Sequence, residues 1–356
     1  GNGDPRLCIF GRNVTPNHHK IAGEYVLLDN LYCDAEVSVD GHSWSNSAYA
    51  TDFNEKRWPP QYGGHSAAVR GPADRPSSGH VWDLAATKGL TYRSYGEYAD
   101  RVSEGAEVIS RARMPELEGH VSPRFVRGGG RRDTDNMQAF LDEFAEYEKN
   151  FDSTNPGKRL PNYIVMSLGE NHTQGTTPGA HTPIACVANN DWALGQLVER
   201  VSQSRYWAET AIFVIEDDAQ NGPDHVDARR TVGLVISPYT KRKFVDSTLY
   251  TTSSMLRTIE LLLGLPPMTQ YDAAAMPMYA AFGVKADLRP YALLLPQVDV
   301  HARNARNAPG AKVSLSMDFS DYDLTPMFEL NEVIWQSVRG AHSEMPLPIS
   351  RFHFRY

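Results

Sequence analysis

The most informative stretch of the chain reads Ala211-Ile212-Phe213-Val214-Ile215-Glu216-Asp217-Asp218. Five apolar residues followed by three carboxylates are typical of a strand that is buried on both faces and ends at a polar sheet edge. Similar apolar runs occupy 162–168 and 232–237, and 25–28 is a further strand candidate. These runs predict a central sheet whose strands are covered on both sides.

Segments with helical spacing of apolar residues lie between these runs. In 135–150, Met137, Phe140 and Phe144 recur every three or four residues, and 190–203 and 252–263 also have helical patterns. Strand, loop and helix repeated in this order predict an α/β fold with a mainly parallel central sheet flanked by helices. Ligands of such sheets bind at the carboxyl ends of the strands, so we expect the chemistry in the polar loops after Leu168 and Ile215.

Residues 54–130 have a different composition from the rest of the chain. They are rich in Gly, Pro, Arg and Trp and show weak periodicity, as in Arg57-Trp58-Pro59-Pro60. We interpret them as an irregular insertion that covers the site, within a single domain that spans 1–356.

Composition and charge exclude several classes of protein. The chain has 356 residues, 41% of them hydrophobic, and 43 acidic against 35 basic residues, for a formal net charge of -8. This is globular composition, and net acidity disfavours nucleic acid as a partner. No apolar run approaches the roughly 20 residues of a membrane span. No signal peptide is visible, and a start without Met leads us to expect that the chain begins partway through a longer product.

The densest group of ionisable residues is the segment 216–227. It contains five carboxylates and His225 within twelve residues. Adjacent carboxylates are tolerable when a cation neutralises them, and oxygen ligands with an imidazole suit Zn, Mn, Mg, Fe or Ca. A solvated acidic loop is the equally weighted alternative.

Two further segments carry reactive side chains. Gly169-Glu170-Asn171-His172-Thr173 follows a predicted strand and offers a carboxylate, an amide and an imidazole, although a merely solubilising loop is the simpler interpretation. Ser38 lies near Asp40 and His42 without the G-x-S-x-G motif of a nucleophile elbow. A bound metal can activate such a serine as a nucleophile. The alternative interpretation is that Ser38 is an ordinary turn residue.

Taken together, these segments resemble the bacterial phosphoesterase family of the alkaline phosphatase superfamily, which includes phospholipases C and acid phosphatases. The resemblance rests on segments spread along nearly the whole chain: 15–19, 28–30, 38–44, 120–123, 167–173, 215–227, 237–239, 250–265 and 330–335. It implies hydrolysis of small phosphoric esters through a covalent phosphoserine, assisted by one or two divalent metal ions. It also implies a periplasmic or extracellular location.

The resemblance also implies roles for individual residues. Ser38 would be the nucleophile, because relatives have a histidine four residues after it, as His42 is here. The predicted metal ligands are Asp217 and Asp218 for the nucleophile's metal, and His172 and His225 for a second site. Asn171 and His42 would contact the substrate.

Two departures from the family pattern favour an alternative. Relatives often have Asp where this chain has Asn171, which weakens one metal site unless Glu170 substitutes. The family also begins with a buried strand that carries a first metal ligand, and we expect this strand, or a longer N-terminal segment or domain, to precede Gly1. The second hypothesis is therefore a binding or structural domain that kept the fold but lost activity. The third is a serine esterase that uses Ser38 with a histidine.

Overall fold

The computed structural model describes residues 7–61, 72–219, 229–320 and 324–346. The helices are α1 (Pro16–Glu24), α2 (Ser38–Ser47), α3 (Asp52–Gln61), α4 (Val81–Thr87), α5 (Asp133–Lys149), α6 (Pro183–Ser202), α7 (Thr252–Leu263), α8 (Gln270–Ala274), α9 (Ala311–Ser314) and α10 (Met327–Arg339). The strands are β1 (Val26–Tyr32), β2 (Tyr92–Tyr95), β3 (Ala99–Glu104), β4 (Glu107–Ala112), β5 (Tyr163–Met166), β6 (Ile212–Ile215), β7 (Arg230–Ile236), β8 (Phe244–Asp246) and β9 (Tyr250–Thr251).

The main sheet has the strand order β6-β7-β1-β8, and β9 also pairs with β1. β1 runs parallel to β8 and β9, whereas β7 runs antiparallel to both β1 and β6. The α/β prediction is confirmed, but the sheet is mixed rather than mainly parallel. Antiparallel neighbours need no crossover helix, and β6 and β7 are consecutive strands among the described residues.

The predicted strand at 162–168 is confirmed as β5, but it does not join the main sheet. It pairs in parallel with β2, and among the described residues β6 pairs only with β7. The apolar residues of β6 are all half-buried, less than the sequence run predicts. The additional strand that the family resemblance places before Gly1 stays a prediction.

Helices cover both faces of the main sheet, and residues 26–28 of β1 and 234–236 of β7 alternate between the two faces. Leu27, Leu234 and Ile236 pack in a core with α1, α5 and α6, whereas Leu28 and Val235 pack in a second core with α7. Successive strand residues point to opposite faces, so strands covered on both sides require the continuous apolar runs seen in the sequence.

The predicted insertion 54–130 contains more regular structure than expected. It provides α4, the strand β2 that pairs with β5, and the antiparallel hairpin of β3 and β4. Its own core, with Val81, Trp82 and Leu117, also includes Leu256 of α7. None of the helices in the described part of the chain has the length and apolar character needed to cross a membrane.

Candidate active site

Seven of the predicted site residues line one cavity of about 1090 Å³. They are Ser38, His42, Glu170, Asn171, His172, Asp217 and Asp218. The polar loops that follow β5 and β6 therefore meet at one place, as the sheet-edge argument predicts. The remaining predicted residue, His225, lies outside the described residues, and the roles of all eight stay predictions.

Ser38 is the first residue of α2 and is buried, with 7% of its surface exposed. Val37 before it is extended (φ -145°, ψ 158°), so the chain enters the helix at the serine itself rather than in a turn. Ser38 Oγ donates a hydrogen bond to Oδ2 of Asp218 at 3.0 Å. The hydroxyl thus lies at a helix N-terminus, where unpaired backbone N–H groups favour an anion.

Gly41 allows α2 to pack directly against the end of β6. A Cβ on Gly41 would lie 2.8 Å from the carbonyl carbon of Asp217, so either α2 or the backbone after β6 would have to shift. Only a glycine fits here, and the close approach sets the position of Ser38 relative to Asp218.

His42 connects Asp217 to a buried carboxylate from the insertion. Its Nδ1 lies 2.8 Å from Oε1 of Glu97, and its Nε2 lies 3.4 Å from Oδ2 of Asp217. Burial alone would lower the pKa of His42, but the charges of Glu97 and Asp217 raise it above its ordinary value. The two carboxylates therefore favour the cationic form of His42.

Glu97 is 3% exposed, and its charge is balanced from two sides. Burial alone would raise its pKa, but His42 and Arg127 lower it below the ordinary value. Nδ2 of Asn46 donates to Oε1 of Glu97 at 2.9 Å, and Arg127 Nη1 lies 3.7 Å from Oε2. Glu97 and Arg127 were not predicted from the sequence. Glu97 lies just after the carboxyl end of β2. A prediction of that strand would therefore have made Glu97 a candidate site residue.

Glu216 opens onto the same cavity. Burial of its carboxyl group and the neighbouring charge of Asp217 raise the pKa of Glu216 to about 7, while a hydrogen bond from the Asn171 side chain acts in the opposite direction. Asn171 therefore reaches across from the β5 loop to the end of β6.

Glu170 and Asp133 form a reciprocal contact between the β5 loop and α5. Oε2 of Glu170 accepts from the N–H of Asp133 at 2.9 Å, and Oδ2 of Asp133 accepts from the N–H of Glu170 at 3.0 Å. Glu170 also lies 2.6 Å from Nε of Arg132. Glu170 thus caps the start of α5, a structural role that differs from the predicted metal ligand. Asp133, which sequence analysis missed, could have been identified as a residue of the first helical turn.

The carboxylates that follow β6 could supply some of the ligands of a metal site. Asp217 and Asp218 supply carboxylates beside the Ser38 hydroxyl, and Oδ2 of Asp217 is buried and accepts no hydrogen bond. Carboxylates of this kind are the preferred ligands of hard divalent cations. Across the ranges that the structure describes, however, no three His, Cys, Asp or Glu side chains converge on one point.

A model of the Phosphoesterase family matches residues 4–266. The chain belongs to this family. That membership supports hydrolysis of phosphoric esters and confirms the family predicted from the sequence motifs. No curated protein matches this phosphoesterase chain significantly.

Several solved structures are similar to this phosphoesterase at low identity. An alkaline phosphatase superfamily protein from Vibrio parahaemolyticus is 17% identical, with 74% of this chain and 66% of that chain covered and a TM-score of 0.46. Human ectonucleotide pyrophosphatase/phosphodiesterase 5 is 11% identical, with 72% and 91% covered and a TM-score of 0.46. A phosphonate monoester hydrolase from Silicibacter pomeroyi is 11% identical, with 71% and 69% covered and a TM-score of 0.42. Because these TM-scores are below 0.5, the similarities support no conclusion about the activity of this chain.

Proposed function

We propose that this protein hydrolyses small phosphoric esters, with Ser38 as the nucleophile and a divalent metal ion as cofactor. The hydrogen bond of 3.0 Å from Ser38 Oγ to Asp218, inside the cavity, is the observation that supports this most directly. A hydroxyl within hydrogen-bond reach of a base is the geometry of an activated nucleophile. Within the described residues the acceptor is a carboxylate rather than a histidine, which disfavours a serine esterase.

In the proposed reaction Ser38 Oγ attacks phosphorus, so that an Oγ–P bond forms and the bond from phosphorus to the leaving alcohol breaks. The Ser38 proton has Asp218 as its nearest acceptor, and the departing alkoxide takes up a proton to leave as the alcohol. Water then attacks the phosphoserine, which releases phosphate and restores the hydroxyl. Asp217 and Asp218 would hold a divalent metal ion, whose chemistry when bound is to neutralise charge and lower the pKa of a hydroxyl.

Electrostatics explain why a cation is part of the proposal. Glu216, Asp217 and Asp218 stand together at the end of β6 and would repel a phosphate group. The positive groups beside these carboxylates include the N-terminus of α2, His42, whose pKa is raised, and Arg127. His42 and Arg127 are already shared with Glu97, so a cation held by Asp217 and Asp218 would add the positive charge that favours a phosphoryl group beside Ser38.

The test is turnover of p-nitrophenyl phosphate and bis(p-nitrophenyl) phosphate with Zn, Mn, Mg, Ca and Fe added in turn. We expect turnover with at least one metal, its loss on chelation, and its loss in Ser38→Ala. Ser45→Ala is the matched control, because Ser45 lies on the same helix and donates to the Gly41 carbonyl at 2.8 Å without lining the cavity. Full activity of Ser38→Ala would refute the nucleophile.

The second candidate is a binding or structural domain without catalysis. It is favoured by the absence of three converging ligands in the described ranges, and by Asn171 in place of a carboxylate. Metal analysis of the purified protein separates the two functions. Stoichiometric bound metal supports the enzyme, and no binding after supplementation supports the inactive domain. A periplasmic or extracellular location and the absence of nucleic-acid partners remain part of the proposal.

A further inference from the structure

Arg101 and Arg131 line the cavity and have no partner of opposite charge among the described residues. Arg101 lies on β3, and Arg131 directly precedes the Arg132–Asp133 start of α5. Both side chains are exposed, and neither guanidinium makes a hydrogen bond or ion pair with any residue in the described ranges, although the Arg131 backbone N–H donates to the Gly128 carbonyl at 3.2 Å. They belong to the cavity wall formed by the β3–β4 hairpin and the segment 127–131.

Other arginines close to this wall are paired. Arg113 contacts Asp100 at 2.9 Å, Arg127 contacts Glu97 at 3.7 Å, and Arg124 contacts Asp142 at 2.8 Å on the outer surface. Arg113 and Arg127 line the same cavity, so Arg101 and Arg131 differ from them in having no carboxylate partner within the described residues. A guanidinium group without a carboxylate partner is able to pair with an incoming anion.

Glycines in the backbone of this wall leave space for a guanidinium group. Gly128, Gly129 and Gly130 all have positive φ angles, of 70°, 64° and 75°, which side chains rarely tolerate. A Cβ on Gly129 would lie 2.9 Å from Cζ of Arg101, so the guanidinium rests against this glycine. Arg131 is two positions after Gly129 in the sequence. Two residues span at most about 7 Å, so the backbone of Arg131 lies close to Gly129.

We propose that Arg101 and Arg131 form a subsite for a second anionic group, a carboxylate or a phosphate, on the alcohol part of the phosphoric ester. The planar guanidinium fork matches both anions in a bidentate manner. This inference rests on the proposed function, because the reacting phosphoryl group is assigned to Ser38 and Asp218 in the same cavity. The preferred substrates are then doubly anionic esters rather than esters of neutral alcohols.

The experiment compares 4-carboxyphenyl phosphate with 4-carbamoylphenyl phosphate, which has the same size and no second charge, or their methyl diesters where the protein prefers diesters. A charge-assisted hydrogen bond predicts a kcat/KM ratio of about 10 or more in favour of the carboxylate. We expect this ratio to fall to near one in the Arg101→Ala/Arg131→Ala double variant. Arg124→Ala is the control, since it removes one positive charge from the outer surface and should keep the ratio.

A ratio near one in the unmodified protein overturns the proposal. So does a double variant that keeps the ratio, including one that loses activity equally on both esters, because the arginines would then bind the reacting phosphoryl group. If neither ester is hydrolysed with any metal, the proposed function fails separately. Calorimetric binding of 4-carboxybenzylphosphonate against its 4-carbamoyl counterpart then decides the subsite: equal affinities refute it, and tighter carboxylate binding that is lost in the double variant supports it.

Discussion

The backbone of Gly41 in α2 packs against the backbone of Asp217 at the end of β6, with no space for a side chain between them. Because Ser38 begins the same helix and Asp218 follows Asp217, this contact sets the distance between hydroxyl and carboxylate. The geometry of the proposed nucleophile thus depends on a residue that takes no part in the chemistry.

Gly41→Ala is expected to reduce phosphoesterase activity severely. The added methyl group must push α2 away from β6, which lengthens the Ser38–Asp218 contact and destabilises the fold by about 1–3 kcal/mol. Urea unfolding and kcat/KM are the measurements. Gly23→Ala in α1 is the control, because a Cβ there meets nothing within 4 Å and should leave activity unchanged. Equal effects of the two variants would contradict the role of the close contact.

Glu97→Gln is expected to lower the pKa of His42. Glu97 provides the largest of the interactions that raise this pKa against the opposing effect of burial. An NMR titration, with His42→Gln for assignment, should show the shift, and the alkaline limb of the pH profile should move to lower pH. The control is Glu104→Gln, because Glu104 at the end of β3 forms an exposed pair with Arg111 of β4. An unchanged His42 titration in Glu97→Gln would show that the pair is not coupled.

The raised pKa of His42 also predicts how the stability of the fold depends on pH. Its pKa is raised in the folded state, so its contribution is fully present below the unfolded value of about 6.5 and is lost as the pH rises through the folded value. The difference in free energy of unfolding between the unmodified protein and His42→Gln should therefore be largest at acidic pH and shrink towards alkaline pH. The opposite trend would mean that His42 is neutral in the fold.

Glu170→Gln separates a structural role from metal binding. Glutamine keeps an acceptor for the Asp133 N–H but leaves Arg132 without its carboxylate, which should reduce stability by about 1–3 kcal/mol. Metal affinity should not change, as measured by titration with the metal that supports activity. A large loss of affinity would support the prediction that Glu170 is a metal ligand.

Sequence patterns predicted those parts of the molecule that depend on local chemistry. The apolar run before Glu216 specified β6, and the rule that ligands bind at strand ends brought Asn171 and Asp217 to one cavity. Strand direction was not predictable, because an apolar run has the same appearance in parallel and antiparallel sheets. Glu97 and Arg127 were missed because their importance comes from contacts with His42, which lies 55 and 85 residues away in sequence.

The central claim is that Ser38 carries the phosphoryl group during turnover. The most direct measurement is rapid acid quenching of the metal-supplemented enzyme during hydrolysis of p-nitrophenyl phosphate or its diester, followed by peptide mass spectrometry. We predict a phosphoryl adduct on Ser38 that is absent from Ser38→Ala and retained in Ser45→Ala. Steady turnover with Ser38 unmodified at every quench time, together with an active Ser38→Ala variant, would contradict the account.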